Sequence, residues 1–187
     1  MKNEEITALL KKTGVILDGH FLLTSGRHSG RFLLCSQLLQ YPEQAEKVCR
    51  LIAEPFREER IDAVVGPAMG GVILAYEVAR ALRARALYTE KEDQGMAFKR
   101  GFRIEKGERI LVVEDAVTTG GSIQKTIDCI RGEGVEPVAA AVMIDRTGGK
   151  LDLGLPTRAL LTMEIESYPA ADCPLCRQGL PLKRPKT

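Results

Sequence analysis

The segment Arg109-Ile-Leu-Val-Val-Glu-Asp-Ala-Val-Thr-Thr-Gly-Gly-Ser122 constrains the fold more than any other part of the chain. Residues 110–113 are all apolar and read as a strand buried on both faces; two carboxylates, a small-residue loop and a helical period follow directly. A buried strand that feeds a helix through a glycine turn is the building unit of a parallel sheet. Ligands of such sheets bind beyond the carboxyl ends of the strands, where helix N-termini point. This segment therefore marks both the architecture and the place to look for chemistry.

The flanking sequence repeats the alternation. Residues 61–65 form a β-branched run, 71–82 have a helical period, 86–88 are a short strand candidate, and 122–131 read as a helix. Strands are expected again at residues 137–144 and 158–163. Upstream, residues 43–60 carry a helical stripe of Ala45, Val48, Cys49, Ile52 and Phe56, with a late kink expected at Pro55. This order predicts an α/β fold, a parallel sheet flanked by helices. Before it, Asn3 is a candidate cap for a helix with Ile6, Leu9 and Leu10 on one side, stopped at Gly14. Residues 15–39 break at Asp18-Gly19, Ser25-Gly26 and Ser29-Gly30, which predicts small strands or hairpins in an accessory lobe. The expected organisation is one domain over residues 1–187: accessory lobe mainly in 1–40, core in 41–165, tail in 166–187.

Composition removes several classes. The 187 residues hold 27 Lys and Arg against 25 Asp and Glu, so the net charge of +2 gives no field for wrapping nucleic acid or coating an anionic membrane. The apolar run 138–144 is far short of the roughly 18 residues that a membrane span needs. Lys2, Glu4, Glu5, Lys11, Lys12 and Asp18 interrupt any signal-peptide core, so the mature protein is expected to start near Met1. Five scattered cysteines argue for a reducing cytoplasm over a disulfide framework.

In the 109–122 segment, backbone N–H groups from Thr118 to Ser122 can wrap a phosphate, with the hydroxyls of Thr118, Thr119 and Ser122 as further donors. Gly120 and Gly121 let the backbone approach it. It is a phosphate cradle without a lysine. Glu114 and Asp115 would repel a phosphate unless they address something else, and a sugar diol or Mg²⁺ is the natural partner. A diol with a phosphate is a ribose phosphate. A plain strand end and polar turn would explain any one of these residues but not the set, and no Walker or dinucleotide glycine pattern occurs.

Residues 110–122 resemble the signature of the type I phosphoribosyltransferases, which bind phosphoribosyl diphosphate (PRPP). The likeness extends over nearly the whole chain and is greatest to the orotate-using members. Supporting segments are Phe21-Leu-Leu-Thr-Ser-Gly-Arg-His-Ser29, Gly66-Pro-Ala-Met-Gly-Gly71 and Ile144-Asp-Arg146. The resemblance implies that Glu114, Asp115, Ala116, Val117, Thr118, Thr119, Gly120, Gly121 and Ser122 bind PRPP. The acids would meet the ribose hydroxyls, directly or through Mg²⁺, and Asp115 would take part in catalysis. Ala68, Met69, Gly70 and Gly71 would receive the pyrophosphate, and Thr118 and Arg146 would bind orotate, the guanidinium gripping its carboxylate. On the residues alone, Arg146 also reads as a surface residue before a turn.

Residues 90–109 are rich in both charge signs and glycine, which predicts disorder or a lid. The resemblance implies a catalytic loop shared across the subunits of a homodimer, with Lys91, Lys99, Arg100 and Arg103 as its cations and Lys91 as the first choice for catalysis. The chain departs from familiar members in placing both histidines, His20 and His28, in the accessory lobe, and in having Gly70 and Thr24 where lysines are common. Rival readings are transfer to a purine or uracil, and a non-catalytic PRPP-sensing regulator. Cys173-Pro-Leu-Cys176 has zinc-ligand spacing, but no second such pair accompanies it, so an ordinary turn is expected. The tail beyond, with Arg177, Lys183, Arg184 and Lys186, reads as a loosely held surface segment.

Overall fold

The computed structural model describes residues 3–23 and 25–185; Met1, Lys2, Thr24, Lys186, Thr187 and the Asn3 side chain lie outside the described residues, with the readings attached to them. Helix α1 (Asn3–Lys12) has Glu4 and Glu5 in its first turn and Lys11 and Lys12 in its last, charges that suit the helix dipole at each end. Its buried face carries Ile6 and Leu10. Strands β1 (Ile16–Leu22) and β2 (His28–Leu33) then form an antiparallel pair whose register shifts between Asp18 and Phe21. A third strand comes from far along the chain: β9 (Ser167–Tyr168) pairs with the start of β2.

After the short α2 (Ser36–Leu39), helix α3 (Pro42–Ala53) ends earlier than its apolar stripe suggested. A 3-10 turn at Glu54–Phe56 replaces the kinked continuation to residue 60, because Pro55 has no N–H with which to continue the ladder. The core then runs β3 (Ala63–Pro67), α4 (Gly70–Leu82), β4 (Arg85–Glu92), β5 (Gly95–Phe98), β6 (Ile110–Val117), α5 (Gly121–Gly132), β7 (Ala139–Asp145) and β8 (Thr157–Thr162). These strands make one sheet in the order β5-β4-β3-β6-β7-β8, parallel except for the β4–β5 hairpin.

The sheet is covered on both faces. Ile6, Val48, Ile52, Leu74 and Val78 pack against Val64, Leu111 and Val113 on one side, while Ile123, Ile127 and Ile130 of α5 pack against Val65, Ile110 and Val112 on the other. Adjacent residues of β6 thus enter opposite cores, which is why that strand is an unbroken apolar run rather than an alternating one. Each such buried aliphatic side chain contributes roughly 1.5–3 kcal/mol. From β3 the chain steps outward to β4, and from β6 it steps the other way to β7 and β8. The switch point lies between the carboxyl ends of β3 and β6, where a ligand crevice opens.

Two parts of the sequence reading change. Residues 90–109 are not wholly irregular: β4 runs on to Glu92 and folds back as β5, and Phe98, Phe102 and Ile104 pack on the α5 side of the core. The tail is held rather than loose. Beyond the short α6 (Pro174–Arg177), the Lys183 N–H donates to the His20 carbonyl at 2.8 Å and the Leu22 N–H donates to the Lys183 carbonyl at 2.9 Å.

Candidate active site

Strand β6 carries four residues more than its apolar run, so Glu114 and Asp115 lie within the strand and the loop proper is Thr118, Thr119 and Gly120. Gly120 caps α5 at φ 79°, a conformation that disfavours a side chain, and a Cβ there would sit 3.2 Å from Leu151. The helix therefore starts abruptly, with its first N–H groups aimed outward and unpaired by helical geometry. They face a cleft of roughly 550 Å³ lined by Glu114, Ala116, Val117 and every residue from Thr118 to Ser122. The residues expected to hold a 5′-phosphate are thus brought together.

The two acids part company across the strand. Glu114 faces the cleft on the α5 side, and its carboxylate accepts the Asp115 N–H at 3.2 Å. Asp115 turns towards the start of α4, where its carboxylate accepts the Ala116 N–H at 2.7 Å. Burial pushes the pKa of both carboxyls up, and the charge of Asp115 raises Glu114 further. A buried and a half-buried carboxyl group, neither in an ion pair among the described residues, are a receptive place for hydroxyl donors or a hard cation.

The loop after β3 carries a cis peptide between Ala68 and Met69 and meets β6 at close range. A Cβ on Gly70 would lie 2.7 Å from Asp115 Oδ2, so a side chain there would displace the Asp115 carboxylate. Parallel pairing of Val117 with Asp145 sets the next residues, Thr118 and Arg146, side by side at the sheet edge. Arg146 is half-buried and does not line the phosphate cleft; its Nε is buried with no hydrogen-bond partner. Desolvation holds its pKa down. A guanidinium taken partly out of water with an orphaned donor is prepared for an anionic acceptor. Thr118 and Arg146 are therefore adjacent, but the guanidinium lies outside the phosphate cleft and near Cys35, whose Sγ is 3.8 Å from the Asp115 carbonyl.

Among the four cations expected of the lid, only Lys91 lines the cleft, and it lies within β4, opposite Met96 of the hairpin, rather than after the strand. Lys99 pairs with Glu92 at 3.4 Å and Arg100 with Glu90 at 2.7 Å, while the Arg103 carbonyl accepts Arg85 Nη1 at 3.2 Å. Five cleft residues were not among those expected from sequence: Asp93, Gly95 and Met96 of the hairpin, and Ile123 and Lys125 of α5. Lys125 could have been found, because it stands one helical turn after Gly121 on the side that the loop exposes. The hairpin residues carried no such periodic signal.

Residues 35–159 match the family described as Phosphoribosyl transferase domain. The chain is 50% identical over 185 residues to an orotate phosphoribosyltransferase of Pelotomaculum thermopropionicum and 48% identical over 185 residues to one of Caldicellulosiruptor bescii, in both cases covering 99% of this chain and 97% of the relative. Its fold superposes on the crystal structure of orotate phosphoribosyltransferase from Aeropyrum pernix with a TM-score of 0.70 at 31% identity, over 84% of this chain and 93% of that one. The phosphate loop at the switch point, the acid pair beside it and these likenesses agree, and the chain belongs to the orotate phosphoribosyltransferase family.

Proposed function

We propose that the protein transfers the phosphoribosyl group of PRPP to orotate, giving orotidine 5′-monophosphate and pyrophosphate, a step of pyrimidine biosynthesis. The observation that carries this reading is the cleft at the end of β6 with an arginine on the neighbouring strand. The cleft joins a helix N-terminus to Glu114, suited to a ribose phosphate, and Arg146, next to Thr118 across the β6–β7 pairing, has an unpartnered buried Nε suited to a planar carboxylate. The reaction breaks the bond from the anomeric carbon to the pyrophosphate oxygen and forms one to the base nitrogen. No covalent nucleophile is required, so the protein acts by positioning and electrostatics.

In this reading Thr118 to Ser122 hold the 5′-phosphate, Glu114 and Asp115 meet the ribose hydroxyls, and residues Ala68 to Gly71 receive the pyrophosphate. Arg146 and Thr118 orient the base. Lys91 supports the leaving group from the hairpin, and Lys125 adds to the phosphate side. The acid pair also fits Mg²⁺, which would offer Lewis-acid stabilisation of the pyrophosphate when it arrives with PRPP. A homodimer is supported by the exposed stripe Met69, Ile73 and Tyr76 along the start of α4, respectively 82%, 48% and 62% exposed. Lys99, Arg100 and Arg103, outside the cleft of their own chain, are the cations proposed to act across such an interface, Lys99 and Arg100 by exchanging their present partners Glu92 and Glu90. No helix among the described residues is long and apolar enough to cross a membrane, and a cytoplasmic site of action is part of the same proposal.

The test is to supply PRPP and Mg²⁺ with orotate, uracil, hypoxanthine or adenine and follow consumption of each base. Turnover of orotate alone is expected. Turnover of a base without a carboxylate would remove the role given to Arg146, and PRPP binding without turnover of any base would point to a sensor.

A further inference from the structure

Two segments that the sequence separates by about 150 residues meet in the accessory lobe. His20 lies on β1, His28 opens β2, and Cys173 and Cys176 flank and end the first turn of α6. One ligand atom from each of the four lies within 4.8 Å of every other. His20 Nε2 is 3.0 Å from His28 Nδ1, 3.5 Å from Cys173 Sγ and 3.7 Å from Cys176 Sγ, and Cys176 Sγ is 3.3 Å from His28 Nδ1. For tetrahedral zinc, with Zn–N of about 2.0–2.1 Å and Zn–S of about 2.3 Å, the edges are about 3.3 Å for N–N and about 3.6 Å for N–S. The four measured edges match that figure to within a few tenths of an ångström.

We propose that His20, His28, Cys173 and Cys176 bind one Zn²⁺ ion in a closed, structural site that ties the tail to the β1–β2 hairpin. The ring protonation agrees. His20 Nδ1 lies 2.8 Å from the Leu180 carbonyl, which can only accept, so the proton is on Nδ1 and the Nε2 lone pair faces the cluster. A hydrogen bond from His28 Nδ1–H to His20 Nε2 would account for one of the four contacts. It would leave two thiols, weak donors, converging on the same two nitrogens with nothing to share. A central cation gives all four lone pairs one partner. Two imidazoles and two thiolates make a neutral centre with Zn²⁺, since binding releases one proton from each thiol to solvent. Neutrality matters, because His20, His28 and Cys173 are 2%, 5% and 1% exposed. Cys176 is exposed and offers the way in. Mixed imidazole and thiolate ligation in four-coordinate geometry selects zinc over harder cations.

The lobe has reason to use a metal. Its sheet has three strands, one of them only two residues long, and is the kind of small layer that needs a staple. The ion would join β1, β2 and α6, close to the Arg27–Ser167 contact at 2.8 Å where β9 meets β2.

The purified chain, kept reduced, should carry one equivalent of zinc by elemental analysis. Stripped with a strong chelator and titrated with Co²⁺, it should develop the visible bands of tetrahedral cobalt and a thiolate-to-cobalt charge-transfer band, both saturating at one equivalent and both displaced by Zn²⁺. Because Cys176 is exposed, Cys176→Ser should fold and lose about half of the charge-transfer intensity; Cys173→Ser with Cys176→Ser should lose all of it. Zinc should raise the melting temperature of the stripped wild type and leave that of the double variant unmoved. A stripped wild-type chain that leaves Co²⁺ with the spectrum of the hydrated ion, or cobalt bands unchanged in the double variant, would overturn the proposal.

Discussion

At the scale of single residues, Glu114 and Arg146 each stand in a condition that serves the fold poorly and a ligand well. Burial holds the Glu114 carboxyl above its unfolded pKa, so its support for the fold is complete at low pH and is lost as pH rises through the raised folded value. Glu114→Gln removes that loss. The variant should be more stable than the parent near neutral pH, by on the order of 1 kcal/mol, with the difference vanishing in acid, as denaturant melts across pH would read. The same change should weaken Mg²⁺-dependent PRPP binding, and in the parent that binding should release protons, seen as a dependence of binding heat on buffer ionisation enthalpy. A variant with unaltered PRPP affinity would take Glu114 out of the site. Arg146→Lys replaces a planar fork by a point charge. Its KM for orotate should rise about 10- to 100-fold, or roughly 1.4–2.8 kcal/mol, with KM for PRPP nearly unchanged. Equal losses for both substrates would contradict a role for Arg146 confined to the base.

Elements explain why these residues face as they do. The abrupt start of α5 and the close approach of α4 both rest on glycine, and Gly70 gives the sharper test. Gly70→Ala favours the helix by up to about 1 kcal/mol in propensity yet sets a Cβ 2.7 Å from Asp115 Oδ2. Melting should therefore change little while KM for PRPP rises several-fold; a variant that binds PRPP normally would show that Asp115 moves aside at no cost. The buried elements were the readable ones. In β3, β6 and β7 the demand for apolar side chains on both faces leaves a run that little else produces, and the glycine loop after β6 announced the cleft. The ends were less readable. Nothing in the periodicity told that β6 continues through Glu114 and Asp115, since pairing with β7, not burial of apolar groups, holds those residues in the strand. The β4–β5 hairpin stayed hidden because β5 is an edge strand with mixed, half-exposed side chains and pairs on one side only. The separation of the two acids follows from strand pleat, but which side each takes depends on the helices that cover the sheet.

For the whole molecule, the stripe Met69, Ile73 and Tyr76 leaves three large apolar side chains to solvent at the start of α4, with Tyr76 62% exposed. Tyr76→Glu should shift the chain to monomer in sedimentation at micromolar concentration without lowering its melting temperature by more than a few degrees. If residues 99–103 complete the neighbour's cleft, turnover should fall with it and return when the variant is mixed with a chain inactivated at Arg146. Full activity in a monomer would instead assign every cation to its own chain. The four-residue His and Cys cluster belongs to this scale too. No window of sequence holds it; only the return of the chain from β8 to the accessory lobe brings Cys173 beside His20.

That return orders events in time as well as in space. Strands β1 and β2 leave the ribosome before the core strands, yet β9 and the Lys183 bridge that complete their layer are made roughly 130 to 160 residues later. Domains tend to fold as the chain emerges. Here the sheet that carries the glycine loop after β6 can close while the β1–β2 hairpin still waits, so a layer begun before that sheet is finished after it.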